Sequence, residues 1–244
     1  MRRDQCPSTT GWLPPDCPRA PLRLRRPRPR QYFAGNVRVP FIAPWTGENV
    51  LSRAVITTRH GCDGVGIGYA DEYGIADRRR GVLWIRVPVK PGAGGPLLDR
   101  VHALRQRQAM THMLCQYCGR PADDRSDGRY VFLLPAVTGR LITDGERTAA
   151  PPVCGSCVPE AVWGRAPLRR GCVAVLVEDV TVWGVAGIVY APDTLKPVPS
   201  DGEQFTPVAY GDRRIPWTLA CREVVALNGC TVVSLEDLAQ QTAA

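Results

Sequence analysis

Two pairs of cysteines have the residue type and the spacing that metal coordination requires. Cys115 and Cys118 form one C-x-x-C pair, and Cys154 and Cys157 form a second pair after 35 intervening residues. Structural Zn²⁺ is held by four soft ligands in a tetrahedron, and the two residues inside each pair let both sulfurs turn toward one point. We therefore predict that these four cysteines bind one structural Zn²⁺. Because all four positions are then thiolates, none stays open for water.

Two other interpretations of the cysteines are unrelated buried thiols and a redox-active pair. Ten cysteines in a secreted chain would favour disulfides. However, the arginines after Met1 are followed by prolines and more arginines rather than by the apolar core of a secretory leader. The longest apolar stretch, 180–191, is too short to span a bilayer. We expect a soluble, cytoplasmic protein with reduced thiols, whose paired C-x-x-C motifs bind metal.

Residues with catalytic chemistry are few in this sequence. Its three histidines, His60, His102 and His112, all precede Cys115. His60 and Cys62 lie two apart, so an extended backbone would place a nucleophile and its base on one side, although two loop residues are the simpler interpretation. Three interpretations are open for His112: it replaces one cysteine as a metal ligand, it lies next to the metal site, or it is an ordinary helix residue.

The remaining motifs favour structural roles. Residues 91–96 (PGAGGP) lack the glycine spacing of phosphate-binding loops, so they predict a plain loop. Cys172, Cys221 and Cys230 lie among apolar residues, and we predict that they are small core side chains.

The positive charge is concentrated at the beginning of the chain. Of the net charge of +8, residues 1–38 contribute +7, from nine arginines against Asp4 and Asp16. Residues 39–244 hold 22 basic and 21 acidic side chains, a net of +1. Residues 1–30 are rich in proline and arginine and have little to bury, so we predict a disordered or extended arm. Such an arm is either a solvated tail or a contact for nucleic-acid phosphates.

Short strands are predicted before the first cysteine pair, since the chain has 24 glycines and 23 prolines. Runs of β-branched and aromatic residues predict strands at 37–42, 54–58, 65–70 and 82–87. We expect the last two to pair across the loop 71–81. An apolar stripe over 97–113 predicts a helix of about 16 residues that leads into Cys115.

A small α+β unit is predicted after the metal segment. Strands are expected at 172–177, 182–190, 206–210 and 230–235. Pro216 and the Asn228-Gly229 pair favour a helix over 216–227. The sequence thus predicts an α+β fold in four parts, namely a disordered arm (1–30), a short-stranded β-rich domain ending in a helix (31–113), a four-cysteine zinc segment (114–165) and an α+β C-terminal domain (166–244).

The metal segment resembles treble-clef zinc domains over residues 114–163. Gly119 suits the turn of a zinc knuckle, residues 130–134 predict a strand, and the second cysteine pair comes just before a predicted helix start at Pro159-Glu160. This resemblance implies a knuckle, then a hairpin, then a ligand pair at a helix start.

Two further resemblances concern function. HNH-type endonucleases place their active site between such cysteine pairs and need a histidine there as general base, but residues 119–153 contain no histidine. We therefore expect at most a non-catalytic relative of these enzymes. The motifs CQYCG and PPVCGSC resemble those of a group of uncharacterised actinobacterial proteins, and arginine outnumbers lysine 29 to 2, as in GC-rich genomes. No activity follows from this resemblance.

Two hypotheses about function follow. The leading one is a non-enzymatic, zinc-stabilised accessory protein that binds a protein or nucleic acid partner, because the metal site is closed, histidines are scarce and the arm is charged. The alternative is an enzyme of unknown class in actinobacterial specialised metabolism, with a purely structural zinc.

Overall fold

The structure, a computed structural model, describes residues 29–48, 56–61, 64–74, 77–136, 141–164, 171–200 and 204–238. Most of the arm predicted at 1–30 lies outside these residues, and so does Cys62. Within them the chain forms thirteen strands and two α-helices and is mostly β-sheet. The presence of both element types agrees with the α+β prediction.

Short elements succeed one another along the described chain. Before the first cysteine pair these are β1 (Tyr32–Ala34), β2 (Val37–Val39), β3 (Ile56–Gly61), β4 (Gly64–Tyr69), β5 (Arg78–Arg79), β6 (Val82–Trp84) and α1 (Ala103–Thr111). After it come β7 (Tyr130–Pro135), β8 (Glu146–Thr148), α2 (Val158–Gly164), β9 (Cys172–Val177), β10 (Asp179–Val189), β11 (Thr206–Ala209), β12 (Thr218–Asn228) and β13 (Thr231–Val233). Each strand predicted from the sequence overlaps one of these, although several are shorter than predicted.

A six-stranded sheet forms the centre of the fold. Its order is β11-β10-β12-β6-β5, and β8 pairs additionally with β12. β12 pairs antiparallel with β10 and parallel with β6. This sheet joins strands from three of the parts that the sequence analysis distinguished, 31–113, 114–165 and 166–244.

The helix predicted over 216–227 is wrong, because these residues form β12. Pro216 lies in a 3-10 turn, Ile215–Trp217, directly before the strand. Leu219 and Val225 are both buried, as is most of the strand between them. A strand buried on both faces shows a near-continuous apolar run instead of strict alternation, so its pattern did not distinguish it from a helix.

The predicted pairing of residues 65–70 with 82–87 is also wrong. β4 pairs with β3. β6 pairs instead with β5, which lies inside the loop 71–81, through the two-residue turn Arg80-Gly81. Both turn residues have positive φ, +51° and +77°, which matches the twist that tight hairpins favour.

A three-stranded sheet of order β13-β9-β7 separates two apolar cores. Successive side chains of a strand point to opposite faces. On one face, Val131 and Leu176 belong to the core that surrounds the four cysteines. On the other face, Phe132 and Val175 pack against α1 and β12. The sheet therefore connects the metal segment to the central sheet.

The first helix is shorter than the sequence predicted. The apolar stripe favours about 16 residues over 97–113, whereas α1 has nine. Leu97 N–H donates to Pro44 O and His102 N–H donates to Ile42 O, so the backbone before α1 is bonded to another segment. No helix in the described part of the chain has the length and apolar character needed to cross a bilayer.

A buried ion pair ties α1 to the segment before it. Arg105 donates two hydrogen bonds of 2.7 Å to the Glu48 carboxylate, whose side chain is fully buried. The same carboxylate accepts from the N–H groups of Trp45 and Lys90. Burial alone would raise the pKa of Glu48, but the hydrogen bonds from Arg105 and the two amides outweigh it, so the pKa is lowered.

We expect Glu48→Gln to lower the free energy of unfolding by about 3 to 5 kcal/mol, because it leaves Arg105 buried without its counter-charge. Since the folded pKa of Glu48 lies below its unfolded value of about 4.3, its contribution is present above that pH and is lost as the pH falls further. Denaturant unfolding at several pH values measures both effects.

The matched control is Asp99→Asn, which removes an exposed carboxylate. We expect this control to change stability by less than about 0.5 kcal/mol. The Glu48–Arg105 ion pair would be contradicted if both variants lowered the free energy of unfolding equally. It would also be contradicted if Glu48→Gln lost as much stability on acidification as the unchanged protein.

Candidate metal centre

The first cysteine pair lies in a tight turn that presents both sulfurs on one side. The amides of Tyr117 and Cys118 donate to Cys115 Sγ at 3.4 and 3.5 Å. Gly119 N–H donates to Cys115 O at 2.8 Å and closes the turn. Gly119 has φ +71°, and a Cβ there would meet the Phe41 ring at 2.7 Å. Both observations agree with the predicted knuckle, in which glycine is required.

The second pair lies where α2 begins. Cys154 precedes a 3-10 turn, Gly155–Cys157, which continues directly into α2. Cys157 N–H donates to Cys154 O at 2.9 Å, so the turn holds the two cysteines at a fixed separation. Glu160 lies in the first turn of α2, as expected at a helix N-terminus.

The structure brings all four predicted cysteines together. The Sγ atoms of Cys115, Cys118, Cys154 and Cys157 lie within 4.8 Å of one another. The Cys118 and Cys154 sulfurs are 3.7 Å apart, well beyond the roughly 2.05 Å of a disulfide bond. All four residues are at most 5% exposed. This arrangement is compatible with a metal ion bound at the centre of the four sulfurs.

Hydrogen bonds among the four sulfurs shift the pKa values of the thiols in opposite directions. Hydrogen bonding with Cys115 lowers the pKa of Cys118, and it lowers that of Cys154 to about 6. Hydrogen bonding to Cys118 raises the pKa of Cys115. A cation bound between the four sulfurs would favour the thiolate form at every position.

Arg38 contacts the cluster from the N-terminal hairpin, which β1 and β2 form by antiparallel pairing. Arg38 donates to Cys157 Sγ at 3.4 Å and forms an ion pair with Glu160 at 3.2 Å. Its guanidinium group therefore offsets part of the negative charge of the thiolates. Sequence reasoning counted Arg38 with the basic arm, since nothing local links two residues 119 positions apart.

A further layer of hydrogen bonds supports the ligand turns. Asp124 accepts from Gly155 N–H at 2.8 Å, and the Cys154 sulfur lies 3.5 Å from the Ser156 hydroxyl. Burial, together with the charge of Cys154, raises the pKa of Asp124. These residues hold the second ligand pair in place.

The histidines lie outside this cluster. His112 is the C-cap residue of α1, and the cluster of four sulfurs does not include it. His60 is exposed on β3, and its proposed partner Cys62 is outside the described residues. His102 is buried with Nε2 2.9 Å from Pro88 O. No described histidine therefore replaces a cysteine ligand.

The structural roles predicted for other motifs agree with their surroundings. Cys221 is 3% exposed, and Cys172 and Cys230 are partly buried beside apolar cores. The loop 91–96 accepts a backbone hydrogen bond from the segment before it in the fold, since Thr46 N–H donates to Gly95 O.

The order of elements around the cysteines matches a treble clef only in part. The knuckle and the helix start are present. Between them, β7 pairs with β9 and β8 pairs with β12, so these two strands do not form the hairpin that was expected.

A second polar cluster lies between α1 and the central sheet. Glu223 is 1% exposed; one carboxylate oxygen is bonded to Thr111 at 3.2 Å, and the other has no hydrogen-bond partner and lies 3.9 Å from Arg79. The Tyr210 hydroxyl and the Trp84 indole N–H are also buried without a hydrogen-bond partner. Burial, followed by the charge of Glu223, raises the pKa of Tyr210 to about 12. Sequence reasoning missed this cluster because its members lie far apart along the chain.

Comparisons with known proteins do not extend this description. No protein-family model matches the chain, and no curated protein or solved structure matches it either. The geometry of the described residues therefore carries the functional argument.

We expect Cys115→Ser, or treatment with a strong chelator, to unfold the middle of the chain, because a structural metal ion at this cluster would supply a large part of the folding free energy. Circular dichroism and elemental analysis of the same sample measure folding and metal content.

The control for this prediction is Cys230→Ser, which changes a partly buried cysteine outside the cluster. Its metal content should equal that of the unchanged protein. A metal-free sample that keeps its folded spectrum would refute the prediction.

Proposed function

We propose that the four cysteines hold one structural Zn²⁺. With Zn–S bonds of about 2.3 Å, a regular tetrahedron has sulfur–sulfur edges of about 3.8 Å, and the Cys118 and Cys154 sulfurs are 3.7 Å apart. Four thiolates fill the coordination sphere and leave no position for a substrate or water, which supports a structural role. Iron also accepts four thiolates; elemental analysis distinguishes the metals, and we expect zinc at one ion per chain. The knuckle and the helix start also support a treble-clef-like segment.

The arginine-rich arm enters the fold beside this metal centre. Gln31 Nε2 donates to Cys118 O at 2.9 Å, next to a proposed ligand. The guanidinium group of Arg30 lies 5.3 Å from the ring centroid of Tyr32. Phe41 N–H donates to Tyr117 O at 2.9 Å, inside the knuckle. The metal centre therefore determines where residues 29–31 lie.

We infer that the protein is a non-enzymatic accessory protein whose zinc-stabilised core presents the arm to a nucleic acid. The supporting observation is the position of the charge, since residues 1–28 hold seven arginines against two aspartates, whereas residues 39–244 are near neutrality at +1. Arginines that neutralise phosphates release counterions, which favours binding at low salt. An acidic protein partner is the other outcome that the test distinguishes.

Deletion of residues 1–28 should weaken binding to a DNA or RNA oligonucleotide and should reduce its salt dependence. For double-stranded DNA, the slope of log affinity against log salt changes by roughly 0.9 for each phosphate that the protein no longer neutralises. Fluorescence anisotropy titrations at several salt concentrations measure both quantities.

The matched control is Arg129→Gln, since Arg129 is already paired with Asp127 at 2.8 Å. We expect this variant to bind like the unchanged chain. If the full chain binds no oligonucleotide, or if the deletion leaves the salt slope unchanged, the nucleic-acid proposal fails. In that case an acidic protein is the partner only if the full chain binds it and the chain without residues 1–28 does not.

The second candidate function is an enzyme of unknown class, with the zinc remaining structural. The observation that favours it is the buried cluster of Glu223, Tyr210 and Trp84, each of which has a polar atom without a hydrogen-bond partner. Each such atom costs roughly 1–3 kcal/mol. Active sites characteristically retain polar groups that lower stability.

Tyr210→Phe should leave the free energy of unfolding unchanged or raise it by up to about 1 kcal/mol, because it removes a hydroxyl without a partner. The matched control is Tyr69→Phe, which removes a hydroxyl that donates to Trp84 O at 3.0 Å. This control should lose about 1 kcal/mol. Denaturant titrations compare the two variants, and equal losses would show that the Tyr210 hydroxyl contributes to stability in the ordinary way.

A further inference from the structure

A cavity of about 820 Å³ lies at the edge of the central sheet. It is bounded by the end of β10, by β11 and by the 3-10 turn before β12, and no cysteine lines it. The aromatic side chains of Tyr190, Phe205 and Trp217 contribute to its walls, which are mainly apolar. Pockets for small organic molecules have volumes of roughly 300–1,000 Å³ and walls of this kind. The size and composition therefore fit a small organic ligand.

The charged groups of the cavity lining are arginines. Arg213 is exposed and has no hydrogen bond or ion pair with any described residue. Arg214 also lines the cavity, but it is bound to Asp212 at 2.7 Å. Among the described residues that line the cavity, none carries a carboxylate. Within the described part of the chain, Arg213 therefore brings to the cavity a positive charge that forms no ion pair. Its charge also acts on the neighbouring Asp212, which binds Arg214.

A third arginine lies behind one wall. The Arg222 guanidinium is 5.2 Å from the ring centroid of Phe205, and it has no carboxylate partner among the described residues. Burial lowers the pKa of Arg222, so its charge is poorly solvated. Arg213 and Arg222 form no ion pair with a described residue, and together they give this apolar space a positive potential that attracts an anion.

We propose that this cavity binds a small organic anion, with an aromatic or aliphatic body against Phe205 and Trp217 and an acidic group near Arg213. The apolar body gains from burial in the cavity. The acidic group pairs with Arg213, which forms no ion pair with a described residue. Because the cavity shares no residue with the metal centre, the proposal stands or fails independently of the zinc and of the arm.

The probe for the test is 1-anilinonaphthalene-8-sulfonate, which combines an aromatic body with one negative charge. Its neutral analogue, N-phenyl-1-naphthylamine, has the same ring system without the sulfonate. We expect the full chain to bind one molecule of the anionic probe, with energy transfer from Trp217 to the probe, and to bind the neutral analogue more weakly.

Arg213→Gln should lower the affinity for the anionic probe by about fivefold, as expected for loss of one partly exposed ion pair. The affinity for the neutral analogue should stay the same. Phe205→Ala should lower the affinity for both probes, because it removes part of the apolar wall. Arg100→Gln, which changes an exposed arginine outside the cavity lining, is the matched control and should affect neither probe. Near-ultraviolet circular dichroism confirms that each variant is folded.

The proposal is overturned if the folded chain binds neither probe, or if Arg213→Gln and Arg100→Gln weaken the anionic probe equally, which would indicate non-specific attraction to the net positive charge. Equal binding of the anionic probe by Phe205→Ala and the unchanged chain would also overturn it. Arg213→Gln tests the charge even if Phe205→Ala does not fold.

Discussion

Four cysteine sulfurs share one small volume, and both ends of the described chain are packed around it. The surrounding core includes Leu238 near the end of the chain, and Arg38 reaches the cluster from the N-terminal hairpin. Four thiolates at this spacing would repel one another, so the zinc ion that we propose would hold this core together. Structural zinc contributes on the order of 10–16 kcal/mol, comparable with the roughly 5–15 kcal/mol of a whole domain. Under the proposed zinc site, the fold of this region is coupled to metal binding.

Charged side chains inside this protein differ in how closely they are paired with an opposite charge. Glu48 and Arg105 are paired with two short hydrogen bonds, and Arg38 offsets the charge of the cysteine cluster. By contrast, Glu223 keeps one oxygen without a hydrogen-bond partner, and Arg222 lies against an aromatic ring without a carboxylate. Among the described residues, Arg38 Nε and Arg105 Nε also lack a hydrogen-bond partner, so the two groups differ in how closely their charges are paired and not in whether every polar atom is satisfied.

The central strand shows why local signals were insufficient for part of the fold. Pro216 and Asn228-Gly229 fit the two ends of a helix, yet the residues between them pair with β10 at ten positions. Proline and the Asn-Gly pair indicate where an element begins and ends, but they do not determine its type. Pairing with β10, β6 and β8 satisfies the backbone on both sides of β12, and this non-local gain outweighs local propensity.

Local sequence patterns were enough to identify the four cysteines of the candidate metal centre, the approximate positions of the strands and the location of the basic charge. These features are local, because a C-x-x-C turn places two sulfurs side by side and a run of β-branched residues favours an extended backbone wherever the chain goes. The three-dimensional fold was needed to show which strands pair, that residues 218–228 form a strand, that Arg38 contacts Cys157, and that Phe205, Arg213 and Trp217 line one open cavity. Those outcomes depend on contacts between distant residues, whose free energy is set by the path of the whole chain.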